Sequence, residues 1–190
     1  MIQPATSKCR YRVDKTDVLT WVDDVWLAFA RENGATELTE QHTLGHSLWE
    51  FIADRATRQL YQQIHSRVRS TCKTVVLPFR CDSPTLRRHM VLTIRLEDSG
   101  QLVYEGALQH AEPCPTLNVL DPTFHRSHAV LTTCSCCKRA LIEPLGWLEV
   151  EDAVARLGLF ETPEAPELRY SVCHDCVEVV SGTPGNGNAA

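Results

Sequence analysis

Two short cysteine pairs, Cys134-Ser-Cys-Cys137 and Cys173-His-Asp-Cys176, restrict this chain more than any other feature. Each has the form Cys-x2-Cys, a turn in which two sulfurs converge on one ion. Two such turns complete the four-thiolate tetrahedron that zinc takes, with Zn–S near ~2.3 Å. Thirty-five residues separate Cys137 from Cys173, more than the about 15–20 of a compact ribbon. A longer insert is feasible if it forms a packed element, because loop-closure cost grows only logarithmically and metal binding offsets it. The spacing therefore predicts that Cys134, Cys137, Cys173 and Cys176 hold one structural zinc.

Four thiolates leave no position open for water, so a catalytic zinc is not expected. The chain has no His-Glu-x-x-His or deaminase signature, no glycine-rich phosphate loop and no Gly-x-Ser-x-Gly elbow. It is expected not to be an enzyme. Cys136, inside the first pair, is a spare thiol able to compete as a ligand. His125, His128 and His174 lie within sequence reach but rank lower, since the first two have no matching pair and the last is inside the knuckle. One alternative is a thiol-redox pair, with Lys138 beside Cys137 favouring the thiolate, and another is a redox switch in which oxidation releases the zinc and frees Cys134, Cys137, Cys173 and Cys176. One redox site needs a single Cys-x2-Cys, however, and here there are two.

The remaining cysteines, Cys9, Cys72, Cys81 and Cys114, bring the count to nine and have no assigned role. An odd count argues against a disulfide scaffold. Residues 1–13 hold Lys8, Arg10 and Arg12 without an apolar core after them, so a secretory signal is not expected. No uncharged apolar run approaches the ~18 residues of a membrane span. These readings predict a cytoplasmic protein in a reducing compartment, with no membrane partner. At 190 residues it is expected to form one domain, or one with a small appendage.

A net charge of −5 conceals two opposed blocks. Residues 54–95 carry nine basic and two acidic side chains, and residues 140–180 carry nine acidic and two basic. The basic block is read either as a face for an anionic partner or as one of two parts that attract each other. Because it lies outside the cysteine-rich half, a nucleic-acid-reading zinc ribbon is the weaker reading, and nucleic acid is not expected as a partner.

Residues 18–29 show helical spacing, and the same letters also allow a short strand followed by a turn of helix. Asp54 suits an N-cap, and Leu60, Tyr61, Ile64 and Val68 form one stripe of a helix over 54–71. The period then changes to two. Residues 74–80 read as a strand marked by Pro78 as edge or bulge. Residues 89–96 and 101–108 read as a hairpin about Asp98-Ser-Gly100. Pro113, Pro115 and Pro122 suggest a linker over 111–129, with Leu117, Val119 and Leu120 able to pack onto a domain. Within the cysteine half, a helix is expected from about 149, with Val150, Ala153, Val154 and Leu157 on one stripe, and Gly158 at its exit. Trp147 and Phe160 are expected to plug its small core, and a short helix should begin after Cys173. Residues 181–190 read as a disordered tail.

The segment Gly45-His-Ser-Leu-Trp-Glu-Phe-Ile-Ala, followed by a long helix and a strand–hairpin, resembles the core of a PAS-type sensor domain over residues 14–110. The resemblance implies an α+β fold, a small antiparallel sheet with flanking short helices, that senses a ligand or mediates partner contacts. No residue selects a ligand, so the ligand is unknown; His42, His46 and His65 are conceivable haem ligands but read more simply as surface or hydrogen-bonded histidines. Independently, Cys134-Ser-x-Cys137-Lys138, the central Trp147-x-x-Val150-Glu151 and the last Cys-x2-Cys resemble a short module that follows PAS or receiver domains in bacterial signalling proteins. It departs from that module by the inserted Leu-Gly-Leu-Phe-Glu-Thr-Pro segment before the last pair. Together the resemblances imply a non-catalytic sensor or adaptor of bacterial signal transduction: a PAS-like domain, the linker, and a zinc module over 130–180. Output would pass through a protein partner or a second copy bound through the PAS-like domain.

Overall fold

The computed structural model describes residues 8–181, and the chain divides into two compact units. One takes in residues up to Pro78 and Met90–Gln109; the other takes in Phe79–His89 and the residues from His110 on. The protein is mixed α+β.

The first unit opens with β1 (Lys8–Val13) and β2 (Leu19–Val22). Lys8, Arg10 and Arg12 alternate with Cys9, Tyr11 and Val13, the period of a strand with one face turned inward. Three helices follow. The first, α1 (Asp24–Glu32), is capped by Asp23, whose carboxylate accepts the Trp26 N–H at 2.7 Å. The second is the single turn α2 (Glu40–Thr43). A 3-10 turn over Leu48–Glu50, closed by a Ser47–Glu50 capping box, leads to α3 (Arg55–Thr71). Of the two readings of residues 18–29, the strand followed by helix is the one adopted. The helix expected over 54–71 is α3, capped by Asp54 through Thr57 at 2.7 Å, and it buries Leu60, Ile64, His65 and Val68.

Strands β3 (Val75–Arg80), β4 (Leu86–Leu96) and β5 (Leu102–Pro113) complete a sheet of order β2-β1-β5-β4-β3. Pro78 lies on edge strand β3, where a missing N–H costs no ladder bond. Strand β1, next to the edge, pairs antiparallel with both β2 and β5. Tyr11 stands opposite Tyr104, and their rings stack at 4.3 Å. The sequence reading omitted β1, although it shows the period-two alternation, whereas β2 is the short strand that one reading of residues 18–29 allowed.

In the second unit β6 (Arg126–Cys134), β7 (Ala140–Ile142), β8 (Gly146–Leu148) and β9 (Ala165–Ser171) form a sheet of order β8-β7-β6-β9. The first three make an antiparallel meander, while β9 runs parallel to β6. A parallel return needs a crossover of a dozen or more residues. Here the β7–β8 hairpin and α4 (Val150–Arg156) supply it, which accounts for the long gap between the cysteine pairs. The chain ends its described part in α5 (His174–Ser181). Ser181 closes that helix, and residues 182–190, the rest of the expected tail, lie outside the described residues.

Residues 111–129 are built into this unit. Leu117 and Val119 are 0% and 1% exposed and join Val150, Val154 and Ala165 in one apolar cluster. A smaller cluster holds Leu131, Ala140 and Ala153. Phe160 does not plug the core, being 40% exposed, and Trp147 is half-buried. The core is instead made by α4 closing over the 117–119 segment.

Candidate metal centre

The parallel pairing of β6 and β9 creates the site. Cys134 ends β6 opposite Ser171, which ends β9, so both cysteine turns leave the sheet at the same end. The Ser135 N–H extends the ladder to the Ser171 carbonyl at 2.8 Å. In the first turn the Lys138 N–H bonds the Cys134 carbonyl at 3.0 Å and the Cys134 N–H bonds the Arg139 carbonyl at 2.7 Å. Lys138 takes φ 63° to close it, a left-handed conformation uncommon outside glycine. Its ammonium reaches back to the Ser135 carbonyl at 3.2 Å and lies 5.7 Å from the Tyr170 ring centre. The second turn is the start of α5, where the Val177 N–H bonds the Cys173 carbonyl at 3.1 Å.

These turns bring together the four expected residues. The sulfurs of Cys134, Cys137, Cys173 and Cys176 all lie within 4.8 Å of one another. Cys134 and Cys176 are 3.8 Å apart, and Cys137 and Cys173 are 3.7 Å apart. A tetrahedron with Zn–S of ~2.3 Å has edges of about 3.8 Å, whereas a disulfide would need ~2.05 Å. All nine cysteines are free thiols. The donor set and its spacing thus fit a metal ion held by four sulfurs.

Electrostatics point the same way. Hydrogen bonds from Cys136, Cys137, Cys173 and Cys176 hold the Cys134 thiol far below its ordinary pKa. Cys134 in turn raises Cys173 and Cys176. Against the opposing contact with Cys134, bonds from Cys173, Cys176 and Arg139 bring Cys137 down to about 6. Without metal, the cluster concentrates its negative charge and keeps the remaining thiols protonated. A divalent cation eases that conflict by halving the charge of four thiolates, from −4 to −2, so that all four can stay deprotonated.

Arg139 is the participant that cysteine spacing does not reveal. Its Nε donates to Cys137 Sγ at 3.3 Å, and a terminal nitrogen donates to Cys173 Sγ at 3.4 Å and to the Asp175 carboxylate at 2.7 Å. A basic residue one or two positions after a Cys-x2-Cys is the only sequence signal for it. A backbone N–H, that of Cys173, also donates to Cys134 Sγ at 3.4 Å.

Cys136 is 4% exposed and outside the four-sulfur group. Its hydrogen bond with Cys134 pushes its pKa up to about 12, keeping it a neutral thiol, and its carbonyl accepts the Arg80 N–H at 2.7 Å. His125 and His174 are turned to solvent beside Glu164 and Glu178, and His128 is exposed. His174, Asp175 and Glu178 cluster on α5, but Asp175 is engaged by Arg139 and Glu178 by His174.

The opposed charge blocks partly neutralise each other inside the second unit. Arg80, 7% exposed, contacts Asp82, Glu149 and Glu151, and Arg87 contacts Glu151 at 2.8 Å and Glu112 at 3.0 Å. Burial opposes the Arg80 charge, but its bonds to Asp82 and Glu151 outweigh that and raise its pKa.

Of the other histidines, His46 lies 3.2 Å from Glu50 and His42 3.3 Å from the Thr39 hydroxyl. His65 is enclosed between Asp17 and Tyr104. Among the described residues no helix is long and apolar enough to cross a membrane. Compared with protein-family models and with curated proteins, the chain matches none.

Proposed function

We propose that this protein is a non-catalytic sensor or adaptor of bacterial signal transduction, in which a PAS-like domain over residues 14–110 is joined to a structural zinc module. The observation that carries the zinc half is the group of four sulfurs within 4.8 Å at one end of the β6–β9 pair. The site is saturated by protein ligands, so its contribution is to folding and not to chemistry at the ion. The PAS-like half is supported by the small sheet of order β2-β1-β5-β4-β3, with α1 to α3 inserted between β2 and β3. Output passes to a protein partner or a second copy.

Replacement of Cys173 by serine tests the zinc half. The variant is expected to lose its metal and to become protease-sensitive within residues 126–176, while residues 55–71 stay protected. A metal-free wild-type protein with a resistant 126–176 segment would overturn the reading. An absorbance spectrum of the purified chain tests the sensor half by reporting any chromophore carried by the first unit.

A further inference from the structure

Exposure and protection coincide at one ligand of the cysteine cluster. Cys134, Cys173 and Cys176 are 0%, 1% and 8% exposed, whereas Cys137 is only half-buried. Cys137 is therefore the least enclosed of the four ligand residues, and its sulfur receives the Arg139 Nε–H at 3.3 Å. The same guanidinium spans to Cys173 of the other pair at 3.4 Å and is clamped by Asp175 at 2.7 Å. Its backbone is fixed as well, since its carbonyl accepts the Cys134 N–H at 2.7 Å.

Zinc with four thiolates carries a formal charge of −2, and the excess density lies on sulfur. Charge-assisted N–H donors stabilise that density and lower the reactivity of the thiolates that receive them. We propose that Arg139 guards the metal centre, shielding Cys137 and Cys173 so that zinc is retained against soft electrophiles and oxidants. Resting on the structural-zinc reading, the inference adds to it that the centre is a protected joint and not a thiol switch.

The test is zinc release from the zinc-loaded full-length chain under N-ethylmaleimide, followed with a chromophoric zinc chelator. The reaction breaks the Zn–S bond and forms an S–C bond at one alkene carbon, while the other alkene carbon takes a proton from water. Arg139→Met keeps the bulk without the donors. It is expected to hold the same single zinc and to release it about tenfold faster, the scale of one lost hydrogen bond to a charged group. Its first adduct should map to Cys137. Arg139→Lys, with charge but no fork, should fall between. Asp175→Asn changes a side chain 65% exposed, and by loosening the clamp should speed release several-fold. It decides the matter should Arg139→Met fail to load zinc. Zinc-loaded variants that release at the wild-type rate would overturn the inference alone. A wild-type chain that binds no zinc would overturn the metal reading and this inference together.

Discussion

His65 shows how a single residue reports on the first unit. It is 2% exposed, with Nδ1 2.7 Å from Asp17 and Nε2 against the Tyr104 hydroxyl. Arg69 in turn bonds Asp17 at 2.6 Å and the Asp14 carbonyl at 2.8 Å. A neutral ring satisfies both contacts, donating from Nδ1 to the carboxylate and accepting the phenol proton at Nε2. Burial lowers the His65 pKa, and the neighbouring Asp17 only partly opposes this. The folded state thus binds fewer protons than the unfolded one below about pH 6.5. Its contribution to stability is complete above that pH and declines on acidification toward the lowered folded value. The urea midpoint of the first unit should fall over this window, and the fall should shrink in His65→Gln; an unchanged pH slope would contradict the assignment. Sequence alone could say that His65 was a hydrogen-bonded or surface histidine. It could not name Asp17 and Tyr104, which lie 48 and 39 positions away. Cys72 is another limit of the same kind: its role is to end α3 at φ 56°, which no cysteine count suggests.

Elements with strong local signals were legible, and those defined by long-range pairing were not. α3 announced itself through Asp54 and its apolar stripe, and α4 through Val150, Ala153 and Val154, all fully buried or nearly so. β1 was missed because its charged alternate residues read as a polar start, and its value comes only from lying between β2 and β5. The prolines suggested a linker over 111–129, yet Pro113 ends β5, the chain from Arg126 belongs to β6, and Leu117 and Val119 are part of the core. Val154, 1% exposed within that cluster, gives an element-scale prediction: Val154→Ala should destabilise the second unit by about 2 kcal/mol, read from its denaturant midpoint. A change near zero would show that α4 does not close the core. Arg80 gives a second. Arg80→Met leaves Asp82, 0% exposed, and Glu151, 12% exposed, without their buried cation. The cost should be about 3–5 kcal/mol, and Arg80→Lys should recover only part of it, because the fork that reaches three carboxylates is lost.

For the whole molecule, the cysteine pairs marked the site, while the topology that assembles it was hidden. Spacing named the four sulfurs, but only the parallel β6–β9 pair explains why turns separated by thirty-five residues meet. It also explains why the insert carries a hairpin and a helix. The metal should therefore fasten the ends of two strands whose pairing closes the second unit. The most direct test combines elemental analysis of the full-length chain with hydrogen exchange before and after chelation. The account predicts one zinc per chain, and on its removal a loss of amide protection through β6, β9 and the start of α5, with Leu60 to Val68 of α3 still protected. A chain that contains no zinc yet protects β6 and β9 fully, or one that loses zinc with no change in that protection, would contradict it.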